Sequence, residues 1–239
     1  MLRQIYNQVF EPLHWARSVR EFDSQLARTT STESLTQMLW SYKGRGFFHG
    51  FYPNQHHWEI AQLAERIAIF SPRVIVELGT RDGATLFLWT QLSPHTRHVV
   101  SVDLPGGIHG GGYPEQRGKL YRYLVKNRPN CQLTLLRRDS QQASTRDEVA
   151  ALLGGQPIDF LFIDADHRYE GVRKDYQLYA PLVRPGGLIA FHDIRHNTRD
   201  TTIQVDRLWD EIRAGGARIE EIVHEPYTGR YGIGLLWVS

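Results

Sequence analysis

Two stretches of the 239-residue chain carry ionisable side chains at a spacing suited to catalysis. The first is Ile163-Asp164-Ala165-Asp166-His167-Arg168-Tyr169-Glu170-Gly171, and the second is Phe191-His192-Asp193-Ile194-Arg195-His196. Each closes a short apolar run, and if those runs are neighbouring strands, Asp164 and Asp193 lie close together. Two nearby carboxylates repel, so they need a shared proton, a cation or a paired base. Carboxylate oxygens with water suit Mg²⁺, and a nearby imidazole also admits Mn²⁺, Fe²⁺ or Zn²⁺. A third stretch, Val74-Ile75-Val76-Glu77-Leu78-Gly79-Thr80-Arg81-Asp82-Gly83-Ala84-Thr85, ends an apolar run in an acid and a glycine turn. Gly79 and Gly83 permit close backbone approach to a ligand, and the helix that follows offers free N–H groups at its start. The pattern is G-x-x-x-G, not the G-x-G-x-x-G of a dinucleotide fold. Asp103 closes Val99-Val100-Ser101-Val102-Asp103, and a carboxylate there can accept both hydroxyls of a ribose.

Positioning these groups on one edge requires a sheet. Strands are expected at Val74–Leu78, His98–Val102, Gln132–Leu136, Phe160–Ile163, Leu188–His192, Ile219–His224 and Gly232–Val238. Helices are expected near Thr85–Leu92, Pro114–Asn127, Thr145–Leu153, Glu170–Leu182 and Ile203–Ala214. Strand-helix alternation implies parallel strands with right-handed crossovers. The last two strands have no helix between them and should form an antiparallel hairpin. Arg184-Pro185-Gly186-Gly187 reads as a tight turn into the fifth strand. Before Ser71-Pro72 the apolar residues recur at helical spacing, with Pro12 kinking or splitting the first helix. The expected division is a helical cap over residues 1–70 and a ligand-binding domain over 71–239. The loop Gly44–Pro53 holds four aromatics, which either pack under the cap or form a substrate wall. The run Gly106–Gly112 holds five glycines and reads as a mobile connector or a lid closing on substrate.

Composition limits the partners. The chain has 28 Lys and Arg against 26 Asp and Glu, a net charge of +2 that is too balanced for an electrostatic nucleic-acid binder. Its lone cysteine, Cys131, excludes a disulfide framework within one chain and a cysteine-based zinc cluster. No apolar run is long enough to span a membrane, and the first residues lack the apolar core of a signal peptide. A cytoplasmic protein with a small-molecule partner, and with neither nucleic acid nor membrane, is the expectation. The aromatic N-terminal segment could cover a neighbouring subunit's site in a homo-oligomer.

The glycine turn resembles motif I of class I S-adenosylmethionine-dependent methyltransferases. The two blocks I-D-A-D-H-x-Y-E-G and A-P-L-V-R-P-G-G-L-I-A-F-H-D-I resemble the subfamily related to cephalosporin-pathway and macrolide-sugar O-methyltransferases. The likeness covers roughly residues 55–194. It implies an α/β, Rossmann-like seven-stranded sheet of order 3-2-1-4-5-7-6, mostly parallel with the last strand antiparallel. It implies that Glu77, Gly79, Thr80, Gly83, Asp103, Asp139, Ser140 and Asp164 line the S-adenosylmethionine site. Metal-dependent relatives hold a divalent ion, here expected to be Mg²⁺, on an Asp ending strand four and an acidic pair ending strand five. Asp164 and Asp193 match two of those positions, while the third is His192, not an acid. His167 matches a general base of sugar-methylating relatives, and Asp166 matches a catalytic Asp of others. Either could instead cap the helix that starts near Tyr169. Asp139 or Ser140 could likewise be a helix cap. Gln55, ahead of the helix that starts near Trp58, matches a glutamine often near the cofactor, whereas the adjacent His56 and His57 point about 100° apart and do not suit one metal. The implied activity is methylation of a hydroxyl on a sugar or natural product. Two competing readings are a non-catalytic cofactor-binding scaffold and a metal-dependent oxygenase.

Overall fold

The structure, a computed structural model, describes residues 2–106, 112–226 and 229–239. Most of the glycine run read as a lid or connector, residues 107–111, lies outside the described residues. The chain opens with α1 (Leu2–Val9) and α2 (Glu11–Leu26). They part at Phe10 because Pro12, which has no N–H, is tolerated in the first turn of a helix and not inside one. Helices α3 (Thr32–Ser41) and α4 (His57–Phe70) follow. Ser31 caps α3 by accepting from the Ser34 amide at 3.1 Å.

The sheet comprises β1 (Val74–Leu78), β2 (His98–Asp103), β3 (Gln132–Arg137), β4 (Ile158–Ile163), β5 (Val183–His192), β6 (Ile219–Ile222) and β7 (Ile233–Trp237). Its order is β3-β2-β1-β4-β5-β7-β6, as the resemblance implied. Strands β1 to β5 pair in parallel, and β7 runs antiparallel to both β5 and β6. Between the strands come α5 (Ala84–Gln91), α6 (Arg117–Tyr123), α7 (Ala143–Leu153), α8 (Tyr169–Tyr179) and α9 (Val205–Ala214). Helix α6 is shorter than the expected Pro114–Asn127.

The alternation of side chains along each strand divides the core into two faces. Ile75, Val99, Phe160, Phe162 and Leu235 point to one face, where they meet Phe22, Leu39 and Leu63 of α2, α3 and α4 and Phe87 of α5. Val76, Val100, Leu161, Ile163 and Phe191 point to the other, against Val149 of α7, Val172 of α8 and Trp209 of α9. The N-terminal helices therefore share a continuous core with the sheet. Phe48 and Phe51 of the aromatic loop are fully buried in that core, whereas Tyr52 is exposed. Among the described residues, no helix is long and apolar enough to cross a membrane.

Arg184–Gly187 falls within the bounds of β5 yet makes the expected tight bend: pairing with β4 jumps from Val183 to Leu188 while β4 advances only from Ile158 to Phe160, and Gly186 has φ +71°. Beyond the bend the Gly186 amide donates to the Val238 carbonyl at 2.7 Å and the Val238 amide to the Gly187 carbonyl at 3.0 Å.

A buried acid docks α4 on the hairpin. Glu59 is 2% exposed. Its two oxygens accept the His224 amide at 2.9 Å and the Gly232 amide at 3.0 Å. That anchor fixes the segment just ahead of α4, which contributes Gln55 to the edge where β1 and β4 end.

Candidate active site

Order reverses between β1 and β4, the place where open α/β sheets form a ligand crevice at their carboxyl ends. Gly79 leaves β1 at φ +91°, and a Cβ there would sit 2.1 Å from the Asp164 carbonyl oxygen. The glycine thus brings the turn directly against the end of β4. Gly83, at φ +78°, precedes α5, and a Cβ there would meet the Tyr121 ring at 2.4 Å.

Asp103 buckles this turn from β2. Its Oδ2 accepts the amides of Thr80 at 3.0 Å and Arg81 at 2.6 Å. Its Oδ1 accepts those of Leu104 at 2.8 Å and Gly112 at 3.0 Å. A carboxylate has about four acceptor sites, and here the backbone takes them. Burial raises the Asp103 pKa, and the four amide bonds oppose that rise. Thr80 is buried, with its hydroxyl bonded to that of Ser101. Glu77 is fully buried under α5, where Trp89 Nε1 donates to it at 2.8 Å. Burial pushes its carboxyl up to about 8, outweighing hydrogen bonds from Thr85, Thr80 and Trp89. Asp139 folds into its own turn, accepting from the Gln141 amide at 2.9 Å and Gln142 Nε2 at 2.8 Å. Helix α7 has Gln142, not Asp139 or Ser140, at its N-cap position. Ser140 is buried, and its carbonyl accepts the Tyr179 hydroxyl at 3.1 Å.

Four ionisable side chains converge beside the turn. Asp164 Oδ1 lies 3.2 Å from His167 Nε2 and 3.1 Å from His192 Nδ1. Asp193 Oδ2 lies 3.3 Å from His167 Nε2 and 3.4 Å from His192 Nδ1. Gln55 Nε2 donates to the other Asp164 oxygen at 2.7 Å. The donor atoms of Asp164, His167 and His192 all lie within 4.8 Å of one another. Asp193 sits at φ +62°, which turns the chain sharply as it leaves β5. Burial opposes ionisation of Asp164, but the His192 and His167 imidazoles outweigh it and hold the carboxyl well below the usual range. Burial would also lower His192, yet the Asp193 and Asp164 carboxylates push it up to about 9. The same acids raise His167 against its burial. His192 Nε2 and Gln55 Oε1 are buried without a hydrogen-bond partner.

Asp166 stands apart from this cluster. Its oxygens accept Arg168 Nε at 3.0 Å and Nη2 at 2.6 Å, the Arg168 amide at 3.0 Å and Gln141 Nε2 at 3.0 Å. Burial raises its pKa, but Arg168 and Gln141 overcome that and bring it down to about 2. The sequence reading missed Gln141, which links the ends of β3 and β4, and Gly171, whose Cβ would strike the Asp166 carboxylate at 2.3 Å. Gln141 shows no local signal, since its contact joins two strand ends, whereas Gly171 stands in the quoted block and only its contact with Asp166 was not foreseen. His56 packs on His224 with ring centroids 4.2 Å apart, outside the cluster. His196 pairs with Asp206 at 3.1 Å.

A family model described as "Methyltransferase domain" matches residues 76–194. The curated protein y4gI of Sinorhizobium fredii is 27% identical over 170 residues, which are 70% of this chain and 17% of that protein. The chain spans less than two thirds of the length of the curated relatives it matches. Among solved structures, the O-methyltransferase from Bacillus cereus in complex with SAH aligns with a TM-score of 0.56 at 18% identity, over 92% of this chain and 97% of that one. MycE methyltransferase from the mycinamycin biosynthetic pathway, solved with Mg and SAH, aligns with a TM-score of 0.55 at 16% identity, over 88% and 55%. Over residues 76–194 the chain is thus similar to the methyltransferase domain family, and its fold is the one these O-methyltransferase structures share.

Proposed function

We propose that this chain is an S-adenosylmethionine-dependent O-methyltransferase that methylates a hydroxyl of a small molecule, a sugar or natural product, with help from a divalent metal. The observation that carries this reading is the convergence of Asp164, His167, His192 and Asp193 beside the Gly79 turn. When bound, S-adenosylmethionine supplies a methyl already activated on sulfonium, and a divalent ion makes a nearby hydroxyl more acidic. Glu77, Gly79, Thr80 and Gly83 shape the cofactor turn, Asp103 holds that turn in place at the ribose end through the Thr80 and Arg81 amides, and Asp139 and Ser140 border the adenine end. Asp164 closes the methionine end.

His167 receives the acceptor's proton as the oxygen–methyl bond forms and the sulfur–methyl bond breaks. It suits that task better than Asp166, because a carboxylate held near 2 by Arg168 is a weak base. Asp164, Asp193 and His192 are the residues that would hold the metal. Exposure supports this division: the His167 side chain is 32% exposed, against 1% for His192 and 5% for Asp193. A base must reach the acceptor, whereas ligands sit deeper.

The donor set fits a divalent ion, but its imidazole moves the preference away from the expected Mg²⁺ towards Mn²⁺, Fe²⁺ or Zn²⁺. Calorimetry on chelator-treated protein should give a Kd for Mn²⁺ at least about tenfold below that for Mg²⁺. His192→Asp should narrow the gap. Equal affinities in the starting protein would contradict the ligand assignment.

Asp164, His167 and His192 also make two imidazoles and one carboxylate, a set that holds Fe²⁺ in oxygenases. The two readings separate on product. Methyl-labelled S-adenosylmethionine with a panel of hydroxylated acceptors should place label on oxygen, while oxygen uptake by the Fe²⁺-loaded protein without methyl transfer would favour the oxygenase.

A further inference from the structure

Arg117 is completely buried at the start of α6, although an arginine is seldom fully buried without a charged partner. Its Nε donates to the Tyr121 hydroxyl at 2.9 Å. Nη1 donates to the carbonyls of Phe47 at 3.2 Å and His49 at 2.9 Å. Nη2 donates to those of Gly50 at 3.0 Å and Asp82 at 2.6 Å. All these acceptors are neutral oxygens, and four are backbone carbonyls from two segments far apart in sequence. Residues 47–50 belong to the loop before α4, and Asp82 belongs to the glycine turn. Tyr121 extends the grip, since its hydroxyl donates to the Arg81 carbonyl at 2.5 Å and its ring packs where Gly83 has no Cβ.

We infer that Arg117 is a positioning residue that couples the aromatic loop at residues 47–50 to the cofactor turn at 79–83. The guanidinium is suited to this because its fixed fork presents five donors, whereas a lysine offers three from one point. Without that fork, several buried carbonyls lose their partners at once, and an unsatisfied buried group is costly. The turn and the loop then loosen together. Cofactor binding and the seating of the loop therefore form one equilibrium. The inference rests on the reading of residues 79–83 as the S-adenosylmethionine turn.

Hydrogen exchange on the unaltered protein tests it first. SAH should protect residues 46–50 as well as 79–84. Arg117→Lys should then raise the SAH Kd and the S-adenosylmethionine KM about tenfold or more, the scale of a lost buried hydrogen bond, with kcat little changed. Exchange should quicken at both segments together. If Arg117→Lys does not fold, Tyr121→Phe, which removes only the hydroxyl between Arg117 and Arg81, should show the same paired change to a smaller extent. Protection confined to residues 79–84, or an Arg117→Lys variant with unaltered Kd and KM, overturns the inference alone. Failure of the unaltered protein to bind SAH overturns the cofactor reading and this inference with it.

Discussion

Replacing His167 with alanine is expected to lower kcat about 10²–10⁴-fold, the usual contribution of a positioned general base, while metal content and SAH affinity stay at their original values. The expectation follows from where the imidazole sits. His167 lies two residues ahead of α8 with its side chain about a third exposed, and its Nε2 lies 3.2 and 3.3 Å from the Asp164 and Asp193 carboxylates. Those acids favour the proton that the ring must accept. His192 contacts the same two acids from the floor of the site. Steady-state kinetics, metal analysis and calorimetry on the same preparation separate the roles. Loss of bound metal in His167→Ala would make His167 a ligand and return the proton to another group. Unchanged kcat would remove it from the chemistry.

Gly79→Ala should be the most damaging single substitution in the turn. The φ of +91° is strained for a residue with a side chain, at about 1–3 kcal/mol. The added methyl would lie 2.1 Å from the Asp164 oxygen and 2.5 Å from its carbonyl carbon. Both are backbone atoms at the end of β4, so no flexible side chain can give way. Overpacking adds about 1–3 kcal/mol. Together these amount to about 2–6 kcal/mol, or a fall in Tm of roughly 5–20 °C for a chain of this size. Any relaxation moves Asp164, so SAH affinity should fall as well. Gly216 is a suitable control, because it also has positive φ, at +71°, but no neighbour within 4 Å of an added Cβ. Calorimetric melting of both variants checks the argument. A Gly79→Ala protein that melts and binds SAH like Gly216→Ala would contradict the close packing of turn on strand.

The parts of this fold legible in the sequence are those set by local chemistry. Val74–Leu78 is apolar at every position but Glu77, so it reads as a strand buried on both faces, which it is. Pro12 splits a helix wherever the fold places it. The juxtaposition of Asp164 with Asp193 followed from adjacent strands, and β4 and β5 are adjacent. Less legible were contacts that depend on distant chain. Arg117 is one of 24 arginines and nothing in its local sequence separates it from those on the surface. Asp103 was legible as an acid at a strand end, but its saturation by four backbone amides required the turn to be folded over it.

The central claim is that the edge formed by the Gly79 turn, Asp103 and Asp164 binds S-adenosylmethionine. Titration of the purified protein with SAH, followed by heat and by thermal unfolding, tests it most directly. The account predicts one site per chain and a Tm that rises with SAH concentration, as binding to the folded state alone requires. No heat and no protection at saturating SAH would contradict it.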